Sequence, residues 1–264
     1  MPKIKINDIS LYYETHGQGE PIIFIAGFSV DHTVWQDVLT YLQDDYQLIL
    51  LDNRGAGQTD APNTAYTIKQ MADDVVALCD KLGFSKVYVV GNSMGGCIVQ
   101  TLAYHYPDLL QSAVISNSVM TLNTPYQFYL AAQLELLRAQ APIIPVLRSS
   151  LSWVFSYQFL SKPGKFDELI ELALNNPYPF TLAGYEGQYA ALTHFDASAW
   201  AKNIKVPTLV LGSEQDLIFN EATVKLLAQQ IPNAHYFCFK ECGHVPYLEY
   251  PEQFAQVIKN FFNS

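Results

Sequence analysis

The chain has 264 residues, half of them apolar, and a formal net charge of −10. That is enough length and apolar content for one large domain, or a domain with an insertion. An acidic surface of this size repels nucleic acid and anionic membranes, so neither is an expected partner. No uncharged apolar run approaches the roughly 18 residues of a membrane span, and Met1 to Asn7 lacks the apolar centre of a secretion signal. Cys79, Cys97, Cys238 and Cys242 are not spaced as a disulfide framework or a zinc site. The expectation is a cytoplasmic protein with reduced thiols and no metal.

Ile4, Ile6, Ile9, Leu11 and Tyr13 alternate around an Asn7-Asp8 turn, which predicts an antiparallel hairpin at a sheet edge. Strand and helix then take turns. A strand at 21–26 precedes a helix near 34–43, and a strand at 47–51 precedes a helix over 67–82. Thr67 can cap that helix, Met71, Val75, Leu78 and Leu82 share one face, and Gly83 ends it. A strand at 86–90 runs into a helix, and another strand follows at 112–116. Such alternation predicts an α/β protein with a mostly parallel, doubly wound sheet.

The rhythm stops after Asn117. Residues 119–195 show no strand pattern. Helices are expected near 127–140, 166–174 and 180–193. A strongly apolar stretch at 144–160 contains Trp153, Phe155 and Phe159, and the breaks fall at Pro142, Pro145, Pro163-Gly164, Pro177 and Pro179. Alternation resumes at 206–211, 221–230, 235–240 and 252–262. The expected division is a core of 1–118 and 196–264 with a helical cap at 119–195.

The strand at 86–90 ends in Gly91-Asn92-Ser93-Met94-Gly95-Gly96. Gly-x-Ser-x-Gly between a strand and a helix is a sharp turn that lifts the serine hydroxyl above the sheet. Two later strands end in candidate partners: Ser213-Glu214-Gln215-Asp216 and Glu241-Cys242-Gly243-His244. In a parallel sheet those strand ends share one edge, so the three residues can meet. A serine hydroxyl needs an adjacent base, an imidazole suits that task near neutral pH, and a carboxylate holds the imidazole in one tautomer. Asp196 and Asn117 compete for the acid's place. Asp196 follows no strand and is expected to cap a helix, and an amide cannot balance an imidazolium. His16, His32, His105, His194 and His235 are expected to be structural or exposed, with His32 and His194 the two that are also candidates for a pocket wall.

With the order Ser93, Asp216, His244, the chain resembles the α/β-hydrolase superfamily over nearly its whole length. Ile22 to Phe28 looks like the strand and loop that carry the oxyanion hole. Asp52-Asn53-Arg54-Gly55-Ala56-Gly57 looks like a family turn that braces the nucleophile's surroundings. Gly243-His244-Val245-Pro246 matches the segment around the family's histidine. One departure is Ala26-Gly27, where many members carry His-Gly.

The resemblance implies a sheet of about eight strands with an inserted helical cap. It implies Ser93, Asp216 and His244 as catalytic residues, with the backbone N–H groups of Phe28 and Met94 as the oxyanion hole. Substrate contacts are expected from Phe28, Met94, Trp153, Phe155, Leu217 and Val245. The activity it implies is hydrolysis of a small or medium carboxylic ester or lactone by a monomer or homodimer, with no cofactor. The elbow also looks like that of carbon–carbon hydrolases of the meta-cleavage type, although their Gly-rich oxyanion loop is absent. A third reading is a small-molecule receptor that retains the triad.

Overall fold

The computed structural model describes residues 3–264. Strands β1 (Lys3–Ile6) and β2 (Ile9–His16) form the antiparallel hairpin, turning at Asn7 with φ 43°. β3 (Glu20–Ile25), β4 (Tyr46–Leu51), β5 (Val87–Asn92), β6 (Leu110–Ser116), β7 (Thr208–Ser213) and β8 (His235–Phe239) complete the sheet. It has eight strands in the order β1-β2-β4-β3-β5-β6-β7-β8. β2 meets β4 antiparallel, and every pairing from β4 to β8 is parallel. The carboxyl ends of β3 to β8 therefore line one edge.

Helices α1 (Gln36–Leu42), α2 (Ile68–Leu82) and α3 (Met94–His105) belong to the first crossovers. Between β6 and β7 lie α4 (Thr124–Arg138), α5 (Ile143–Val154), α6 (Tyr157–Leu160), α7 (Lys165–Leu174) and α8 (Leu182–Thr193). α9 (Glu221–Gln230), α10 (Pro246–Glu249) and α11 (Pro251–Phe262) finish the chain. Among the described residues, no helix is long and apolar enough to cross a membrane.

Both sheet faces are covered, which explains the near-continuous apolar runs of the strands. On one face Ile23, Ile25, Val89 and Ile115 pack against Val75 and Leu78 of α2 and Ile98 of α3. On the other, Phe24, Leu50, Val90 and Leu211 meet Val38 of α1, Phe254 of α11 and Trp35. Alternate residues of one strand supply opposite cores, as the two-residue strand period requires.

Local chemistry sets the helix ends. Thr67 accepts from the Gln70 N–H at 3.0 Å, and Gly83 closes α2 in the left-handed region at φ 76°. In the insertion, α4 starts three residues earlier than the sequence pattern predicts. Asn123 caps it through the Tyr126 N–H at 2.9 Å, and Pro125 fits its first turn, where no N–H is needed. The apolar stretch at 144–160 is broken, because Phe155 is extended and the Ser156 hydroxyl caps a new turn. Thr181 caps α8, so that helix begins after Phe180.

Candidate active site

β5 delivers Ser93 at φ 56°, ψ −118°. For a residue with a side chain this backbone costs on the order of 1–3 kcal/mol, so the surroundings must impose it. The Ser93 N–H donates to Ser116 O at 2.9 Å, and the Ser118 hydroxyl donates to Ser93 O at 2.8 Å. The flanking glycines are steric necessities. A Cβ on Gly91 would collide with the Gly95 carbonyl, and one on Gly95 with the carbonyl oxygens of Ile25 and Ala26. The turn thus locks α3 against β3.

Asp216 follows β7 in a loop folded around its own carboxylate. Oδ1 accepts from the Ile218 N–H at 2.8 Å and the Phe219 N–H at 2.9 Å. Oδ2 accepts from Asn117 Nδ2 at 2.9 Å and lies 2.8 Å from His244 Nδ1. A carboxylate on Nδ1 makes that nitrogen the donor and leaves Nε2 as the basic one. His244 Nε2 is buried and has no hydrogen-bond partner among the described residues.

The His244 loop is held from above. The His244 N–H donates to Val154 O at 2.7 Å, at the end of α5. Glu249 Oε1 takes the Gly243 N–H at 3.0 Å and the Ser156 N–H at 2.9 Å. Burial raises the Glu249 carboxyl above the usual carboxylate range, against the pull of these donors.

The structure thus brings Asp216 and His244 into contact and sets Ser93 on the same edge, at the end of β5. Gly27 backs onto the serine: a Cβ there would stand 3.3 Å from Ser93 Cβ. Among the described residues, neither the Phe28 nor the Met94 N–H has an acceptor. Asn53 Nδ2 donates to Ala26 O at 2.9 Å and steadies that loop.

The turn carrying Asn53 is a dense charged knot. Arg54 is fully buried, pairs with both carboxylate oxygens of Asp74 at 2.7 and 2.9 Å, and reaches Asp8 at 2.8 Å. Asp52 accepts from the Gln58 N–H at 2.8 Å and meets His32 Nδ1 at 2.7 Å, while His32 Nε2 faces Glu14 at 3.2 Å. Burial alone would lower the His32 pKa, but Asp52, Glu14 and Asp31 together raise it. His32 is therefore clamped between carboxylates and faces a separate hollow beside Tyr12, Glu14 and Tyr178. His194 is exposed at the end of α8, with Nδ1 on Ala190 O. Asp196 is exposed and accepts from the Ser198 N–H, a local turn without a long helix to cap.

A cavity of about 620 Å³ lies beneath the insertion. Leu130, Val146, Leu151, Trp153, Phe155 and Phe180 supply much of its wall. Its members closest in sequence to the candidate residues are Phe28, Ile218 and Val245; Ser93 and His244 do not themselves line it. No Lys, Arg or His is among its walls, and their one carboxylate, Asp31, is engaged by Asn176 and Thr33. Two expected contacts are corrected. Leu217 is 61% exposed, because the Ile218 and Phe219 N–H groups donate back to Asp216 and turn Leu217 outward and Ile218 inward. The Met94 side chain is fully buried in the sheet core and is no wall of the cavity.

Asn117 is expected from the sequence to be no acid, and it is none. Its contribution is a donor to Asp216, and its place at the end of β6 is the signal that could have revealed it.

Comparison with known proteins agrees with this architecture. The family described as the alpha/beta hydrolase fold matches residues 20–251. 3-Oxoadipate enol-lactonase 2 of Acinetobacter baylyi is 27% identical, covering 96% of this chain and 92% of its own length. The candidate non-heme bromoperoxidase BpoC of Mycobacterium tuberculosis is 30% identical over 97% of this chain and 98% of its own. The solved enol-lactonase from Burkholderia xenovorans superposes with a TM-score of 0.90 at 23% identity, covering all of both chains. The chain belongs to the alpha/beta hydrolase fold family and is a hydrolase of that family.

Proposed function

We propose that this protein is a serine hydrolase that cleaves a small or medium, uncharged carboxylic ester or lactone through an acyl-enzyme on Ser93. Ser93 Oγ attacks the acyl carbon as His244 Nε2 takes its proton. Asp216 stabilises the resulting imidazolium and keeps the ring oriented. The carbonyl oxygen becomes an alkoxide, stabilised by the Phe28 and Met94 N–H groups. Donors of this kind are worth about 3–4 kcal/mol each. The alkoxide collapses, His244 returns the proton to the leaving alcohol, and water hydrolyses the ester on Ser93 by the same route. In a lactone the leaving alcohol stays tethered to the acyl part.

The observation that carries this reading is the Asp216 Oδ2–His244 Nδ1 contact at 2.8 Å, which leaves a buried Nε2 without a partner. The substrate class rests on the cavity: apolar walls without a cation offer nothing to a free carboxylate. The name of the A. baylyi relative adds lactone hydrolysis to the chemistries at hand. Residues 119–195 act as a cap that roofs the site and selects the acyl group. A serine-directed fluorophosphonate tests the mechanism: one adduct is expected, on the peptide containing Ser93. Labelling that persists unchanged in Ser93→Ala refutes it.

A further inference from the structure

Gln188 sits in the middle of α8 and is fully buried. Its carboxamide spans two loops of the core. Oε1 accepts from the Ser29 N–H at 2.8 Å, and Nε2 donates to Arg54 O at 2.9 Å. Both ends are used, so the amide has one orientation: flipping it would face donor to donor and acceptor to acceptor.

Ser29 is the residue after Phe28, and its own backbone is left-handed at φ 60°. Its hydroxyl is buried without a partner among the described residues. A serine held this way needs an external restraint, and Gln188 is the side chain that bonds its backbone. Helix α8 comes close enough because it meets the core through glycine. A Cβ on Gly184 would collide with the Gly55 carbonyl, and one on Gly187 with the Tyr66 ring. From the same helix Tyr185 sets its ring edge-on to Phe28, 4.6 Å between centroids.

We infer that Gln188 is a positioning residue for the oxyanion hole: by fixing the Ser29 N–H it sets the peptide plane beside it and aims the Phe28 N–H at the developing oxyanion. The inference rests on the acyl-enzyme reading above. Gln188 touches no reacting atom. It acts through backbone geometry, from a helix of the insertion and not of the sheet. The oxyanion hole is therefore complete only while α8 is seated.

Two variants, Gln188→Leu and Gln188→Met, keep the volume of the side chain and remove both hydrogen bonds. Deleting an oxyanion donor outright costs about 10²–10³ in kcat, and misdirecting one should cost about 10- to 100-fold. KM for a neutral ester should stay within about threefold, because substrate in its ground state makes little use of the hole. Affinity for a trifluoromethyl ketone, which adds to the serine as an oxyanion, should fall by about tenfold or more. The matching methyl ketone should bind as before.

A folded variant with unchanged kcat, or with equal losses for the two ketones, overturns the inference. If neither variant folds, amide hydrogen exchange in the unaltered protein decides. The Ser29 amide should exchange more slowly than that of Phe28, and equal rates overturn the proposal. Fluorophosphonate labelling of the unaltered protein separates the two layers. Absence of an adduct on Ser93 defeats the acyl-enzyme reading and this inference with it. Normal labelling of both the unaltered protein and Gln188→Leu, at equal rates, defeats only the inference.

Discussion

At the carboxyl edge of the sheet, the Asp216 carboxylate meets two backbone N–H groups, the Asn117 amide and the His244 ring. Above it, α4 and α7 leave Phe128 at 72% and Leu172 at 61% exposed, and what they turn inward is mostly aliphatic and aromatic wall. Directional bonds hold the first region; dispersion and burial hold the second. A hydrogen-bonded loop loses its geometry when one partner changes. An apolar wall tolerates exchange of similar volumes. Chemistry should therefore be brittle and selectivity adjustable. The exceptions are the seams where the insertion bonds to the core, among them Val154–Ser156, Gln188, Asn123 with Ile218 O, and Asn176 with Asp31.

The sharpest test of the contrast lies at the edge. On the proposed mechanism, Ser93→Ala and His244→Ala should each lower turnover by about 10⁴–10⁶, and the double variant should be no worse, because the members of such a triad act as a unit. Asp216→Asn should lose somewhat less, and Asp196→Asn, at an exposed turn, almost nothing. Steady-state rates on a chromogenic ester decide. Equal losses from Asp196→Asn and Asp216→Asn, with folding intact, would put the acid elsewhere.

Next in size is the charged knot at the Asp52–Arg54 turn. Arg54→Met leaves the Asp74 carboxylate buried and unpaired, a loss of about 3–5 kcal/mol in urea unfolding. Asp8 is 56% exposed on its side chain, so Asp8→Asn should cost less than about 1 kcal/mol. A neutral Arg54→Met would mean that the turn tolerates exchange as the insertion does.

In the cavity wall, Trp153→Ala removes a ring stacked on Tyr129 at 4.9 Å. The expected outcome is a shift in chain-length preference worth about 1–3 kcal/mol in relative kcat/KM. Labelling of Ser93 by a small fluorophosphonate should be largely retained. If the ester profile does not move, Trp153 is internal support for the insertion and not a selector.

The smallest effect is electrostatic. His32 is buried between Asp52 and Glu14, and its folded pKa is raised above the unfolded value of 6.5. Its contribution to stability is complete below about pH 6.5 and is lost as pH rises through the higher folded pKa. Melting temperature should fall over that interval in the unaltered protein. The fall should flatten in His32→Gln, and an identical slope in both would remove His32 from the account.

Much of the edge was legible because it is local. Gly91, Ser93 and Gly95 announce the elbow, since a strand entering a helix through that turn admits no Cβ at its flanks. Asp216 and His244 are marked as candidates by their place after apolar runs, a signal that survives without knowledge of what each touches. The helix starts of the insertion were less legible. Asn123 and Ser156 compete with many other polar residues until the cap bond is seen. The outward turn of Leu217 is not legible in the sequence, because the side on which a loop residue points depends on the Ile218 and Phe219 N–H groups donating to Asp216.

Periodicity, capping residues and the small-residue flanks of Ser93 were enough to determine the alternating α/β architecture, the candidate residues at the strand ends and the interruption between β6 and β7. These are properties of a few neighbouring residues, and the chain carries them in order. Only the tertiary structure decided that Asn117 donates to Asp216, that His32 is clamped by carboxylates, and that Gln188 reaches from α8 to Ser29 across 159 residues of chain. Such contacts depend on how separate elements dock. No local pattern records the docking of a glycine-faced helix against a distant loop.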